Sequence, residues 1–251
     1  MEILDLLNVL FSPYTSPEEK KQRLKDDFHI AMTEEFEVIE ELMKNIEIID
    51  KYNLKLYTGM INEKEVVLVK CGVGKVNSAR TTQILIDTFE IKYIINVGVA
   101  GSLNDNLEIG DILIGKELVQ HDFDITAGGH PKGYISKELG REFFSDTKLI
   151  EKCKNIIKNH IKDINIQIGK IATGDVFCQE ISLKNDIIKE FNADCVEMEG
   201  ASIAQVCTLC NIPFIVIRSI SDKPNGNNNI DFEKYVVSSA KRFSKVIELL
   251  I

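Results

Sequence analysis

Two glutamates flank a methionine in Glu197-Met198-Glu199, and further along the chain reads Arg218-Ser-Ile-Ser-Asp222. Each motif begins on the last residue of a strand-like stretch, 195–197 and 213–218, so the acids fall where a strand gives way to the next segment. Carboxylates are mostly found on solvated surfaces. Placed at strand ends they can pass protons or accept hydrogen bonds from vicinal hydroxyls. Each acid also has a plain structural reading: Glu199 as a first-turn acid favoured by a helix dipole, Asp222 as a turn residue or half of a buried ion pair.

Glycine loops follow other apolar runs. Gly72-Val-Gly-Lys-Val76 follows Val66–Cys71, Gly98-Val-Ala-Gly101 follows Tyr93–Val97, and Thr173-Gly-Asp-Val-Phe-Cys178 follows Ile166–Ala172. Glycine lets a ligand approach the backbone closely. The first loop is neither a Walker A sequence nor a full dinucleotide fingerprint, and alone it reads as a tight turn. Three acids, an arginine and two glycine loops gathered at strand ends describe a site that donates protons and holds hydroxyls.

The elements that must position these groups alternate. Helical spacing is expected over Glu34–Ile46, with Phe36, Ile39, Met43 and Ile46 on one face, over Val76–Phe89, with Ala79, Thr82, Ile86 and Phe89 on one stripe, and over Thr147–Ile161. Gly200–Cys210 and a closing segment carrying Phe232, Tyr235, Val236, Phe243, Val246, Ile247 and Leu250 read as further helices. Strands are expected at Leu54–Tyr57, Val66–Cys71, Tyr93–Val97, Asp111–Gly115, Leu118–His121, Ile166–Ala172, Cys195–Glu197 and Pro213–Arg218. Continuous apolar strands alternating with helices predict an α/β three-layer sandwich, with a central mixed, largely parallel sheet flanked by helices. Residues 1–27 read as an N-terminal extension and residues 28–251 as a single catalytic domain. In such sheets ligands collect beyond the carboxyl ends of the strands.

Composition narrows the partner. The 251 residues carry 39 acidic and 30 basic side chains, a net charge of −9. Domains that hold a nucleic-acid backbone by bulk charge run basic, with a pI above roughly 9. The chain contains no run of the ~18 apolar residues that a spanning helix needs. Its first eleven residues lack a basic n-region and carry Glu2 and Asp5, so no export signal is read. Six scattered cysteines in a chain of this size suit a reducing cytoplasm, and Cys207 and Cys210 read as two thiols on one helix face rather than a redox pair. His121-Asp-Phe-Asp124 offers one histidine and two acids, with only His130 near it, so a hydrogen-bonded cluster is expected and neither metal nor cofactor.

Taken together, Ala31-Met-Thr-Glu-Glu35, Gly72-Val-Gly-Lys-Val76, Asn96-Val-Gly-Val-Ala-Gly101, His121-Asp-Phe-Asp-Ile-Thr126, Thr173-Gly-Asp-Val-Phe177, Val196-Glu-Met-Glu199 and Arg218-Ser-Ile-Ser-Asp222 resemble the 5′-methylthioadenosine/S-adenosylhomocysteine nucleosidases of the purine nucleoside phosphorylase-like superfamily, in order and spacing from about Phe28 onward. The Glu-Met-Glu and Ser-Asp elements together are specific; the glycine loops are shared by the wider superfamily. The resemblance implies hydrolysis of an adenine N-glycosidic bond. It assigns Asp222 to protonation of adenine N7, with Ser221 holding it, and Glu35 to activation of the attacking water. Glu199 would grip the ribose hydroxyls, Met198 pack on sugar and base, Phe177 stack on adenine and the Cys178 backbone read its edge. Arg218 and Glu197 would shape the carboxylate network, and Met32, Val73, Val99, Ala100, Gly101 and Phe232 would surround the substrate.

The same resemblance implies a homodimer in which a loop near Ile125–Pro131 closes the partner's pocket. The chain departs from the family at Asp26-Asp-Phe-His-Ile30, in place of a hydrophobic glycine-containing strand, and at Val99, where a serine is common. Two other readings compete with the nucleosidase. A phosphorylase would need a cationic phosphate pocket, and the glycine loops carry no arginine, with only Lys75 and Arg80 just after the first. A nucleoside-binding protein would hold the ligand without cleaving it.

Overall fold

A computed structural model describes residues 9–11, 29–30, 33–162, 164–223 and 242–251. In chain order the elements are β1 (Val9–Phe11), β2 (His29–Ile30), α1 (Thr33–Glu40), β3 (Lys44–Lys51), β4 (Leu54–Ile61), β5 (Lys64–Lys70), α2 (Lys75–Thr88), β6 (Ile94–Ser102) and β7 (Ile112–Gln120). They continue with β8 (Glu142–Phe144), α3 (Thr147–His160), β9 (Ile166–Thr173), α4 (Ile181–Phe191), β10 (Cys195–Glu197), α5 (Gly200–Cys210), β11 (Phe214–Asp222) and α6 (242–250).

The strands form one sheet in the order β10-β9-β7-β11-β6-β2-β1-β5-β4-β3, with β8 beside β7. Its direction is mixed. Pairings β10–β9, β9–β7, β11–β6 and β6–β2 are parallel, whereas β11–β7 and the meander β3-β4-β5 are antiparallel. The expectation of a largely parallel sheet therefore holds only for the half that carries the site. Short turns made by Tyr52-Asn53 and Asn62-Glu63, all at positive φ, close hairpins and so impose antiparallel pairing on the other half.

Alternation along the central strands sorts the core into two layers. Ile215 and Ile217 of β11 join Ile95 and Val97 of β6 and Ile112 and Ile114 of β7 on the face covered by α1, α3 and α6. Phe214, Val216 and Ile220, with Ile94 and Leu113, face α2 and α5. Burying each such side chain stabilises by about 1.5–3 kcal/mol, and a one-residue slip would turn the whole set over. That is why register is fixed where it must aim the strand ends.

Local differences from expectation have local causes. α1 stops at Glu40, and Ile46, expected on its apolar face, is 38% exposed on edge strand β3. Left-handed Asn45 (φ 55) and a run of β-branched residues favour a strand there. The buried stripe of α2 is Ser78, Thr81, Thr82 and Leu85 rather than Ala79 and Ile86, because small residues let α2 approach α5 until the Ser78 and Ser202 hydroxyls lie 2.6 Å apart. The two strands expected between Asp111 and His121 are one strand with a bulge between Gly115 and Glu117. Val9–Phe11, within the segment read as an extension, pairs with β5 and β2. Phe243, Val246, Ile247 and Leu250 are buried as expected, while Phe232, Tyr235 and Val236 lie outside the described residues. Among the described residues no helix is long and apolar enough to cross a membrane.

Candidate active site

The carboxyl ends of β5, β6, β9, β10 and β11 converge on one pocket, lined by Val73, residues 99–101, residues 176–178, residues 196–199, Ser221 and Asp222. Eleven of the residues expected from sequence thus stand together: Val73, Val99, Ala100, Gly101, Phe177, Cys178, Glu197, Met198, Glu199, Ser221 and Asp222. Val176 and Val196 line it as well, and nothing in residue type alone marked them. Met32, Phe232 and the side chain of Glu35 lie outside the described residues; Glu35 falls within α1.

Two residues apart, Glu197 and Glu199 do different work. Glu197 is buried, and its carboxylate accepts the Gly200 amide at 2.8 Å and the Glu199 amide at 3.1 Å, together with the Thr173 hydroxyl. It therefore satisfies the first amides of α5, the task sequence could equally have given Glu199. Glu197 Oε2 also pairs with Arg218 Nη2 at 2.5 Å, and the same guanidinium donates to buried Asn96. Arg218 is wholly buried beneath the pocket and does not line it, so its role is to compensate Glu197.

Relieved of capping, the Glu199 side chain turns into the pocket, where Oε1 accepts the Gly74 amide at 2.9 Å across the chain. Gly74 sits at φ 93 as the residue before α2, a conformation that suits glycine. Burial, then Glu199, push the adjacent Cys71 thiol well above its ordinary pKa, so it is an inert neighbour.

Asp222 lines the same pocket from the end of β11. Burial raises its pKa, opposed by the Ser221 hydroxyl, which donates to Oδ1 at 2.8 Å. The Ser221 hydroxyl also lies 3.3 Å from the Ala100 carbonyl, which shares its single proton and ties β11 to β6 at the pocket floor. Burial first, and then Asp222, push the Cys178 thiol up to about 11, so Cys178 offers backbone rather than a thiolate. Phe177, 41% exposed, stands at the mouth as an aromatic face without a ring partner among the described residues.

Lys75, Asp122 and Asp124, which could have held a phosphate or a metal, are already engaged. Lys75 Nζ pairs with Asp122 at 2.5 Å, and its amide donates to Asp175. Asp124 accepts the Thr126 amide at 2.8 Å. His121 is buried and burial lowers its pKa. Among the described residues no group of three or more His, Cys, Asp or Glu could hold a metal ion. All six cysteines are free thiols, with Cys207 buried in α5 and Cys210 toward Gln83.

The sequence matches the family model of the phosphorylase superfamily over residues 29–251. A 5′-methylthioadenosine/S-adenosylhomocysteine nucleosidase of Staphylococcus haemolyticus is 40% identical over 222 residues, covering 88% of this chain and 96% of the relative. The crystal structure of the Campylobacter jejuni 5′-methylthioadenosine/S-adenosyl homocysteine nucleosidase superposes with a TM-score of 0.83 at 36% identity, covering 88% of this chain and 95% of that one. A futalosine hydrolase of Helicobacter pylori superposes with a TM-score of 0.82 at 35% identity, covering 88% and 94%.

Proposed function

The chain belongs to the phosphorylase superfamily and, within it, to the 5′-methylthioadenosine/S-adenosylhomocysteine nucleosidases; from that premise we propose how its pocket cleaves an adenine N-glycosidic bond. The reaction releases adenine and a 5-thioribose, as methionine salvage and recycling of methylation by-products require. The single observation that carries the assignment is the joint presence, in one pocket, of a shielded acid with a raised pKa and a second carboxylate held by a backbone amide.

Adenine leaves poorly as an anion, so N7 must gain a proton as the C1′–N9 bond breaks. Asp222 is the proton donor, because burial favours its neutral form and Ser221 fixes its orientation. Glu199 accepts the ribose 2′- and 3′-hydroxyls, which steadies the sugar as C1′ becomes oxocarbenium-like. Met198 provides a polarizable apolar surface beneath sugar and base. Phe177 stacks on adenine and the Cys178 backbone reads its edge. Water, activated by Glu35, attacks C1′ and delivers the hydroxyl of the product.

Water rather than phosphate is the nucleophile. Gly74 and Lys75 amides point at Glu199 and Asp175, the Lys75 ammonium is neutralised by Asp122, and among the described residues no lysine or arginine lines the pocket. Adenine release from methylthioadenosine, measured with and without phosphate, tests this directly. Residues 126–131 are exposed, which supports their service as a loop closing the pocket of a second copy in a homodimer. Likeness to a futalosine hydrolase at 35% identity makes the 5′ substituent the variable to assay, with methylthioadenosine, S-adenosylhomocysteine and 5′-deoxyadenosine side by side. Free, buried cysteines fit a cytoplasmic enzyme.

A further inference from the structure

The adenine side of the pocket rests on a segment that core burial holds only at Cys178. Between β9 and α4, residues 174–180 form no strand or helix, and Val176 and Phe177 are 46% and 41% exposed. Hydrophobic burial therefore cannot fix Phe177 over a base. A ring of polar contacts does so instead. The Asp175 amide donates to Asp122 Oδ2 at 2.8 Å; Asp122 Oδ1 takes the Lys75 ammonium at 2.5 Å; and the Lys75 amide returns to Asp175 Oδ1 at 2.8 Å. The Lys75 ammonium also lies 4.0 Å from Asp175 Oδ2.

We propose that Asp175 is a positioning residue of this enzyme: through Lys75 and Asp122 it locks the loop bearing Phe177 and Cys178 to the glycine loop whose Gly74 amide holds Glu199. The inference rests on the assignment of adenine and ribose sides given above. Exposed ion pairs contribute little. This ring differs because Lys75 and Asp122 are sheltered, with side chains 17% and 23% exposed, and two backbone amides close it. The Asp175 carboxylate also meets the N-terminus of α2, where the helix dipole favours it. Close approach is built in on both sides. A Cβ on Gly74 would lie 2.9 Å from Asp175 Oδ1, and a Cβ on Gly174 would lie 2.2 Å from His121 Nε2, so the loop is pinned between the ring above and a buried imidazole below. Asp175 itself is half exposed and supports no core, so its loss should move the loop without unfolding the sheet.

Substrate binding should feel this more than proton transfer, because Asp222 lies on another strand. Steady-state kinetics on methylthioadenosine with Asp175→Ala and Asp175→Asn give the test. Asp175→Ala should raise KM about tenfold or more with kcat within about threefold and an unchanged pH profile of kcat, since misplacing a substrate contact by about an ångström is enough for such a loss. Asp175→Asn keeps an oxygen for the Lys75 amide and should recover part of KM. Lys75→Met should raise KM too, and the double variant Lys75→Met/Asp175→Ala should lose less than the product of the single losses, because both break one ring. An unchanged KM in Asp175→Ala overturns the proposal, as does a fall in kcat that tracks a fall in melting temperature while KM stays put. If the wild type releases no adenine, the site assignment fails instead; the dissociation constant for methylthioadenosine, wild type against Asp175→Ala, then reads the ring's role in KM's place.

Discussion

The Ser221 hydroxyl donates to Asp222 Oδ1 at 2.8 Å at the end of β11, while burial raises the pKa of the same carboxyl. One neighbour orients the acid and the surroundings favour its protonated form, the combination an N7 proton donor needs. Replacing Asp222 by Asn keeps the shape and removes the transferable proton. Adenine release by Asp222→Asn should fall about 10²–10⁴-fold with nucleoside binding retained, since positioned acids contribute on that scale. Retained turnover would move the acid elsewhere.

The same raised pKa predicts a cost in stability. Asp222's folded pKa lies above its unfolded one, so its contribution to stability is fully present below the ordinary carboxylate value and is lost as pH rises through the folded value. Asp222→Asn should therefore melt higher than the wild type at neutral pH. The difference should vanish below about pH 3.9, the ordinary aspartate value. Melting curves against pH check this, and equal stability at all pH values would refute it.

Glu199 meets the Gly74 amide and lines the pocket, where we propose it holds the ribose. Glu199→Gln can still accept that amide but loses the charge that strengthens bonds to two hydroxyls. Hydrogen bonds to charged groups are worth about 1.5–3 kcal/mol, so kcat/KM for methylthioadenosine should fall by one to two orders of magnitude. A 2′,3′-dideoxy analogue should be insensitive to the substitution.

Glu197 and Arg218 form a buried pair at 2.5 Å, and removing one partner strands the other. Glu197→Ala should destabilise the fold by about 3–5 kcal/mol in denaturant titration. A loss under about 1 kcal/mol, the range of surface pairs, would show that Arg218 finds other compensation.

A Cβ at Gly174 would stand 2.2 Å from His121 Nε2. Gly174→Ala should cost about 1–3 kcal/mol, as overpacking does. The companion variant His121→Ala should relieve most of that cost, and absence of relief would place the strain elsewhere.

Much of the pocket was legible because apolar runs end in chemistry: Cys195–Glu197 and Gly200–Cys210 match their elements residue for residue. Eleven of the residues that the motifs and the family resemblance singled out line the pocket. Residue type alone did not separate the work of Glu197 from that of Glu199; the family resemblance did, giving Glu199 the ribose hydroxyls and Glu197 the carboxylate network with Arg218. Both sit at the entry to α5, and only the reach of Arg218 and Gly74, each distant in sequence, decides which carboxylate caps and which faces the pocket. The ring at Asp175 was invisible for the same reason, as it joins two loops and the start of α2. β8 and α4 went unread because Glu142–Phe144 is three residues long and Ile181–Phe191 mixes lysines with its apolar positions. β3 was absorbed into the helical periodicity of α1, which runs on past the turn that ends the helix.

In the proposed reaction water, with Asp222 as acid, cleaves the adenine N-glycosidic bond. Incubating the full chain with 5′-methylthioadenosine in phosphate-free buffer, and following adenine and the sugar product, tests it most directly. Adenine and methylthioribose should appear at a rate that phosphate does not change, with a near-complete loss in Asp222→Asn. Release that requires phosphate and yields a ribose 1-phosphate, or tight binding of methylthioadenosine with no adenine released, would contradict it.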